Sequence, residues 1–445
     1  MKLNRNLLYT ALIAGTVIFF IVILVFSKKT EAGIPGYAEP KGAYATSEEW
    51  LTSKKTMDGY LEILKTKPED SKTMLLLIQA YINESRVTGN HAYYDKAALE
   101  LADKILEKDP GNFEALCCKG TVLLSQHHFA EALEVTNKAS KINPDNAFIY
   151  GLRCDANVEL GNYDEAVQMA DKMISLRPDI RSYSRVSYLR EIYGDVPGAI
   201  SAMKLAIAAG YPGMEQTEWS RMILGHLYES IGSLDSAERT YNFALAERPD
   251  YAFAYAGLGR IAKAKGDYKT AISYYEKADK LITEYSFADE LTDLYLLNNE
   301  KDKSEKSAER VIEMLGPGSG DESVEGHGHY ADKELAYAYL KTGDLDKAME
   351  HAKTEFDRRP KNIDVCETMA WVHYKRGEYA EANKMITVAL KTGSKNPVLL
   401  CRAGLIKIKA GEKAAGQAMI RMALESNPFL DPVLKKEAQP YLTAN

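Results

Sequence analysis

An all-α fold is what the sequence predicts: an α-solenoid of about ten stacked helix hairpins preceded by one N-terminal transmembrane helix. Two observations carry that expectation. Prolines, glycines and alanines return along the chain every 34 residues, and twenty consecutive uncharged residues stand near its start. Composition fits both, with 46% hydrophobic and 27% charged residues, enough apolar matter for a packed interior under a solvated surface. Lys and Arg number 56 against 63 Asp and Glu, a net charge of −7 with no basic block. That balance argues against nucleic acid, whose binding rests on clustered Lys and Arg.

In chain order, a tail over 1–6 precedes the apolar run Leu7 to Phe26, LLYTALIAGTVIFFIVILVF. As a helix, about 20 residues match the hydrocarbon core of a bilayer. A cleaved signal usually has a shorter apolar region of about 7–15 residues. Here the run meets Ser27, Lys28 and Lys29 at once, so an uncleaved anchor over 7–26 is favoured, with a cleaved signal peptide as the alternative. No cysteine follows the run, which excludes lipidation at a processed cysteine. The amino group, Lys2 and Arg5 lie on one side and Lys28 and Lys29 on the other. The slight positive-inside bias puts the N-terminus in the cytoplasm and the rest of this single-pass chain outside it, on the periplasmic side.

A linker over 27–46, with Gly33, Pro35, Gly36 and Pro40, leads into the periodic part. Prolines fall at 110, 144 and 178 and again at 249; alanines at 98, 132 and 166, then 237 and 271, then 348 and 382. Glycines fall at 232 and 266, then at 343, 377 and 411. The interval around Lys265-Gly266-Asp267-Tyr268 gives the physical reading. Glycine supplies the left-handed residue that ends one helix, and aspartate caps the next. Ala271 and Ala278 allow close helix contact, and proline stops the second helix. Such a hairpin cannot bury its apolar face alone, so hairpins stack.

These residues resemble the tetratricopeptide repeat family. Segment 218–251 carries the family's pattern in Leu224, Gly225, Tyr228, Gly232, Ala237, Tyr241, Ala244 and Pro249. Segment 252–285 follows with Leu258, Gly259, Gly266, Ala271, Tyr275 and Ala278; 113–146 and 397–430 carry shorter sets. The chain is thereby similar to membrane-anchored bacterial tetratricopeptide proteins. The resemblance implies a concave groove lined by the first helix of each hairpin, which here selects Phe148, Arg185, Tyr188, Trp219, His226, Phe253 and Arg260. In a second block it selects Tyr337, Trp371, Tyr374 and Arg402. Aromatic and arginine side chains are the types that dominate binding hot spots. The clamp that grips chaperone tails is disfavoured, since Cys117, Thr121, Phe253 and Gly257 occupy its positions.

Departures from the period divide the chain. Hairpin 71–110 has an insertion between Glu84 and Tyr94, so its tip is expected to project; the segment over 181–210 is one residue short. Segment 285–314 lacks the turn glycine and has Ser304 in place of alanine. A glycine-rich acidic loop over 315–328 then separates block one, 47–314, from block two, 329–428. Residues 429–445 are expected to form a capping helix.

No phosphate-binding, nucleophile-elbow, zinc-protease or EF-hand motif occurs, and paired acidic residues fall on polar helix faces. The chain is therefore expected not to be an enzyme and to need no cofactor or small-molecule substrate. His327 and His329, beside Asp321, Glu322 and Glu325, are candidate metal ligands. His127 and His128 sit in an ordinary turn. The five cysteines, 117, 118, 154, 366 and 401, read as small core residues. Two functions follow: a membrane-tethered scaffold binding a protein or extended peptide in the groove, or a metal-handling accessory protein using the histidine loop. A regulatory subunit or assembly factor for a separate catalytic chain is a third.

Overall fold

The computed structural model describes residues 34–40, 42–316 and 329–442. The apolar run 7–26 and His327 lie outside the described residues. Among those residues there are twenty-two α-helices and no strand. Helix α1 (Glu48–Thr66) stands first. Ten antiparallel hairpins follow: α2 (Ser71–Thr88) with α3 (His91–Lys108), α4 (Phe113–Ser125) with α5 (Phe129–Ile142), α6 (Ala147–Glu159) with α7 (Tyr163–Leu176), α8 (Ile180–Ile192) with α9 (Val196–Ala208), and α10 (Glu215–Ser230) with α11 (Leu234–Glu247). Next come α12 (Ala252–Ala264) with α13 (Tyr268–Leu281), α14 (Tyr285–Leu297) with α15 (Lys301–Leu315), α16 (Asp332–Thr342) with α17 (Leu345–Arg358), α18 (Ile363–Lys375) with α19 (Tyr379–Ala389), and α20 (Pro397–Lys409) with α21 (Lys413–Ser426). The short helix α22 (Pro432–Ala438) packs on the last hairpin.

The periodic residues do what their chemistry suggests. Ala98, Ala132, Ala166, Ala237, Ala271, Ala348 and Ala382 are all fully buried where the two helices of a hairpin meet. Gly266 sits at φ 79°, and Asp267 Oδ1 accepts from the Thr270 amide at 3.1 Å. Asn299, at φ 63°, replaces the missing turn glycine; asparagine tolerates the left-handed region better than most residues. Ser304 solves its own burial by donating to the Thr292 carbonyl at 2.8 Å.

One expectation takes a different form. The insertion over 84–94 does not project as a loop, because it lengthens both α2 and α3 to 18 residues around a short turn. Across the acidic stretch, Ala288, Val311 and Ala338 share one apolar cluster, so the hairpins on either side stack directly.

A second pattern is not local at all. The tip between the helices of an early hairpin touches a loop between hairpins near 200 residues later. Arg248 pairs with Glu49 at 2.8 Å, and Gly89 lies under the carbonyl of Thr283, with 3.1 Å left for a Cβ. The Tyr330 amide donates to the Gln126 carbonyl at 3.1 Å. Gly161 lies beneath Lys361, Gly194 beneath Gly393 and Gly232 beneath Pro428. Around Gly161 the seam is specific: Asn362 Nδ2 donates to the Glu159 carbonyl at 2.9 Å, the Ile363 amide donates to Tyr163 Oη at 2.9 Å, and Arg359 pairs with Glu159. The solenoid therefore winds as a superhelix whose second turn rests on its first, about six repeats per turn. By contrast, a Cβ at the later tips Gly266, Gly343, Gly377 or Gly411 would meet nothing within 4 Å.

Candidate partner-binding face

The first helices of successive hairpins pack on one another as well as on their own partners, so they form the inner layer of the superhelix. Groups on that face are partly desolvated. Tyr188, on α8, shows what this does: its side chain is 40% exposed, yet desolvation drives its hydroxyl pKa well above the usual value. His226, exposed by area, is held near pKa 4, first by desolvation and then by the Arg260 guanidinium.

The three arginines selected from the sequence are all engaged. Arg185 binds Asp155 through Nε at 2.8 Å and Nη2 at 2.5 Å. Arg260 pairs with Glu229 at 3.0 Å, touches His226 and donates to Tyr241 Oη at 3.1 Å. Arg402 donates to Glu367 at 3.0 Å and to Tyr337 Oη at 2.9 Å. Each bonds a residue of the preceding first helix or of the same hairpin layer, so these side chains tie the inner wall together. Trp371 and Tyr374 depart from expectation. Both are 7% exposed, stacked ring on ring at 4.9 Å, with Arg402 above Trp371. They are packing residues, because their hairpin sits where the last helices close over them.

The remaining selected residues lie on the first helices α6, α8, α10 and α12, with Tyr188 and Trp219 exposed and Phe148 and Phe253 half-buried. Phe148 (α6) lies under the Arg181 guanidinium at 5.2 Å. Tyr188 (α8) and Trp219 (α10) are each 40% exposed. Trp219 meets Phe253 (α12) edge-on at 5.1 Å, and Phe253 continues to Phe287 at 5.6 Å. Arg181 was not among the residues selected from the sequence. Burial lowers its pKa, and Arg185, Arg86 and Arg177 lower it further against the pull of Asp179. Its signal was legible: a cation in the first turn of a helix opposes the helix dipole, which favours an anion there.

His329 lies against His127, ring centroids 4.3 Å apart, and burial lowers the pKa of both. Among the described residues no three His, Cys, Asp or Glu side chains are grouped as a metal ion would require. The five thiols are buried and pushed up, that of Cys117 to about 12, so they are poor nucleophiles and ligands.

Residues 90–173 match the family described as anaphase-promoting complex, cyclosome, subunit 3, and residues 224–286 match the tetratricopeptide repeat. The fold is an all-helical tetratricopeptide-like solenoid. Such repeats generally mediate protein–protein interaction. Human protein O-mannosyl-transferase TMTC1 is 23% identical over 188 residues, 42% of this chain and 20% of that one. The Saccharomyces cerevisiae small glutamine-rich tetratricopeptide repeat-containing protein 2 is 32% identical over 92 residues, 20% of this chain and 27% of that one. The chain thus spans about a fifth to a quarter of these relatives. Among solved structures, human IFIT1 matches 86% of this chain and 89% of its own at 14% identity and a TM-score of 0.44. A tetratricopeptide protein of Thermus thermophilus matches 46% and 98% at 21% identity and a TM-score of 0.36.

Proposed function

We propose that this chain is a membrane-tethered scaffold that holds a partner protein by an extended segment lying on the inner face. The observation that carries the reading is the set of exposed Arg181, Tyr188 and Trp219, flanked by half-buried Phe148 and Phe253, on a wall otherwise closed by its own ion pairs. Rigid aromatic rings beside an arginine without a carboxylate at hydrogen-bond distance are the side chains from which binding hot spots are built. Tethering rests on the apolar run 7–26, since no described helix is long and apolar enough to cross a membrane. Its flanking charges favour a solenoid on the periplasmic side.

The test is cross-linking and affinity purification of the full-length protein from native membranes, read by mass spectrometry. Tyr188→Ala with Trp219→Ala is expected to lose the dominant partner while the circular dichroism melt stays in place. Undiminished capture by that variant would sink the reading. Trp371→Ala is unsuited to the purpose, because emptying a 7% exposed site costs several kcal/mol of stability.

A further inference from the structure

The seam between the two turns has two unused halves. On one edge stand the second-turn tips, at Gly266, Asn299, Gly343, Gly377 and Gly411, each a left-handed residue with the backbone geometry of the tips roofed in the first turn. On the other edge stand the first-turn loops over 67–70, 109–112, 143–146, 177–180 and 210–214, each with a proline like the roofing loops at Pro249, Pro360 and Pro428. Five tips stand on one edge and five loops on the other, in the same order along the chain. A row of uncovered turns that repeats an interface already formed within the chain offers a second copy the same docking geometry.

From this continuity we infer that a second copy of the chain docks head to tail, its first-turn loops on the second-turn tips of the copy below. Side-chain exposure supports the same occupant. Tyr211 and Met214, at 80% and 61%, are the most exposed large apolar side chains of the described residues, and both lie in the loop over 210–214. In register that loop meets the tip at Gly411, where the exposed Glu412, bonded to Asn383 and Lys407, gives a polar rim. The contact is heterologous: the two surfaces differ, so it propagates from copy to copy instead of closing a dimer. It involves no residue of the inner face and stands whether or not that face binds a partner.

Copies carrying one added, exposed cysteine decide it, because the five native thiols are buried. Full-length Glu412→Cys is mixed in detergent with full-length Pro212→Cys and treated with a short bismaleimide. The expected product joins 412 to 212. Monomer alone, or only 412–412 and 212–212 products, would overturn the inference. In a second arm, sedimentation of the wild type is expected to show concentration-dependent association that Tyr211→Asp with Met214→Asp abolishes at unchanged helicity. Association that survives that double substitution would overturn it equally.

Discussion

Arg359 is the side chain on which most of the seam chemistry converges. It is 5% exposed, bonded to Glu355 within α17 and to Glu159 one superhelical turn away. Removing one partner of a buried ion pair leaves the other charge uncompensated, at about 3–5 kcal/mol. Arg359→Ala is therefore expected to lower the urea unfolding free energy by about 3 kcal/mol. Lys384→Ala, which breaks the exposed pair with Glu381, should cost under about 1 kcal/mol; equal effects would show that the seam pair is not buried in solution. Histidines give a second residue-scale expectation. His127 and His226 are held near pKa 4 by burial, so the unfolded chain binds more protons than the folded one between about pH 4 and the ordinary imidazole value of about 6.5. Their contribution is complete above about pH 6.5 and is lost as pH falls toward 4. Buried carboxyls such as Glu159 and Glu367, whose pKa values are raised by desolvation, push the other way, so the clean observable is a difference. His127→Asn should gain stability relative to wild type as pH drops through that window, and a pH-independent difference would refute the assignment. Residue types on the inner wall were legible from the sequence, but their exposure was not. Trp219 and Trp371 occupy comparable first-helix positions, yet one is 40% and the other 7% exposed, because only the second lies under the closing helices.

Among the elements, the hairpin was the most legible unit. The alanine ladder fixes where two helices touch, and turn glycines fix where each first helix stops. Where glycine is absent, His127 at φ 63° and Asn299 at φ 63° take the same backbone shape, so the period survives without its usual residue. The insertion near Glu84 was misplaced because extra residues in a helical pattern can extend the helices at no cost in unpaired backbone, whereas a projecting loop leaves backbone groups to water. Two matched glycines separate local geometry from the seam. Gly377, at φ 80°, has nothing within 4 Å of a Cβ, while Gly161, at φ 77°, lies against the Lys361 carbonyl. Gly377→Ala carries only left-handed strain, about 1–2 kcal/mol. Gly161→Ala adds a collision with backbone, about 1–3 kcal/mol more. Chemical denaturation of both variants should show that ordering; a Gly161→Ala cost equal to that of Gly377→Ala would mean the two turns do not touch there.

Across the whole molecule, superhelical closure was the feature the sequence did not reveal. It arises from a small rotation per repeat accumulated over about six repeats, and no single residue states that angle. Once the structure shows which loops meet, the chemistry at each rung is readable: Asn362 donates to two carbonyls, Tyr163 accepts an amide, and glycines allow close approach. Closure changes the meaning of the groove. An open solenoid offers a long concave surface, whereas here Arg185, Arg260 and Arg402 on that surface are committed to Asp155, Glu229 and Glu367. The central claim is that the second turn rests on the first in solution. The most direct measurement is a spin-label distance by double electron–electron resonance between Asp164→Cys and Lys361→Cys, both at exposed positions beside the rung at Gly161. A single narrow distribution at the short end of the accessible range is the predicted result, and it should broaden in Arg359→Ala. A broad, long-distance distribution in the wild type would contradict the account, for it would describe an open spring instead of a closed superhelix.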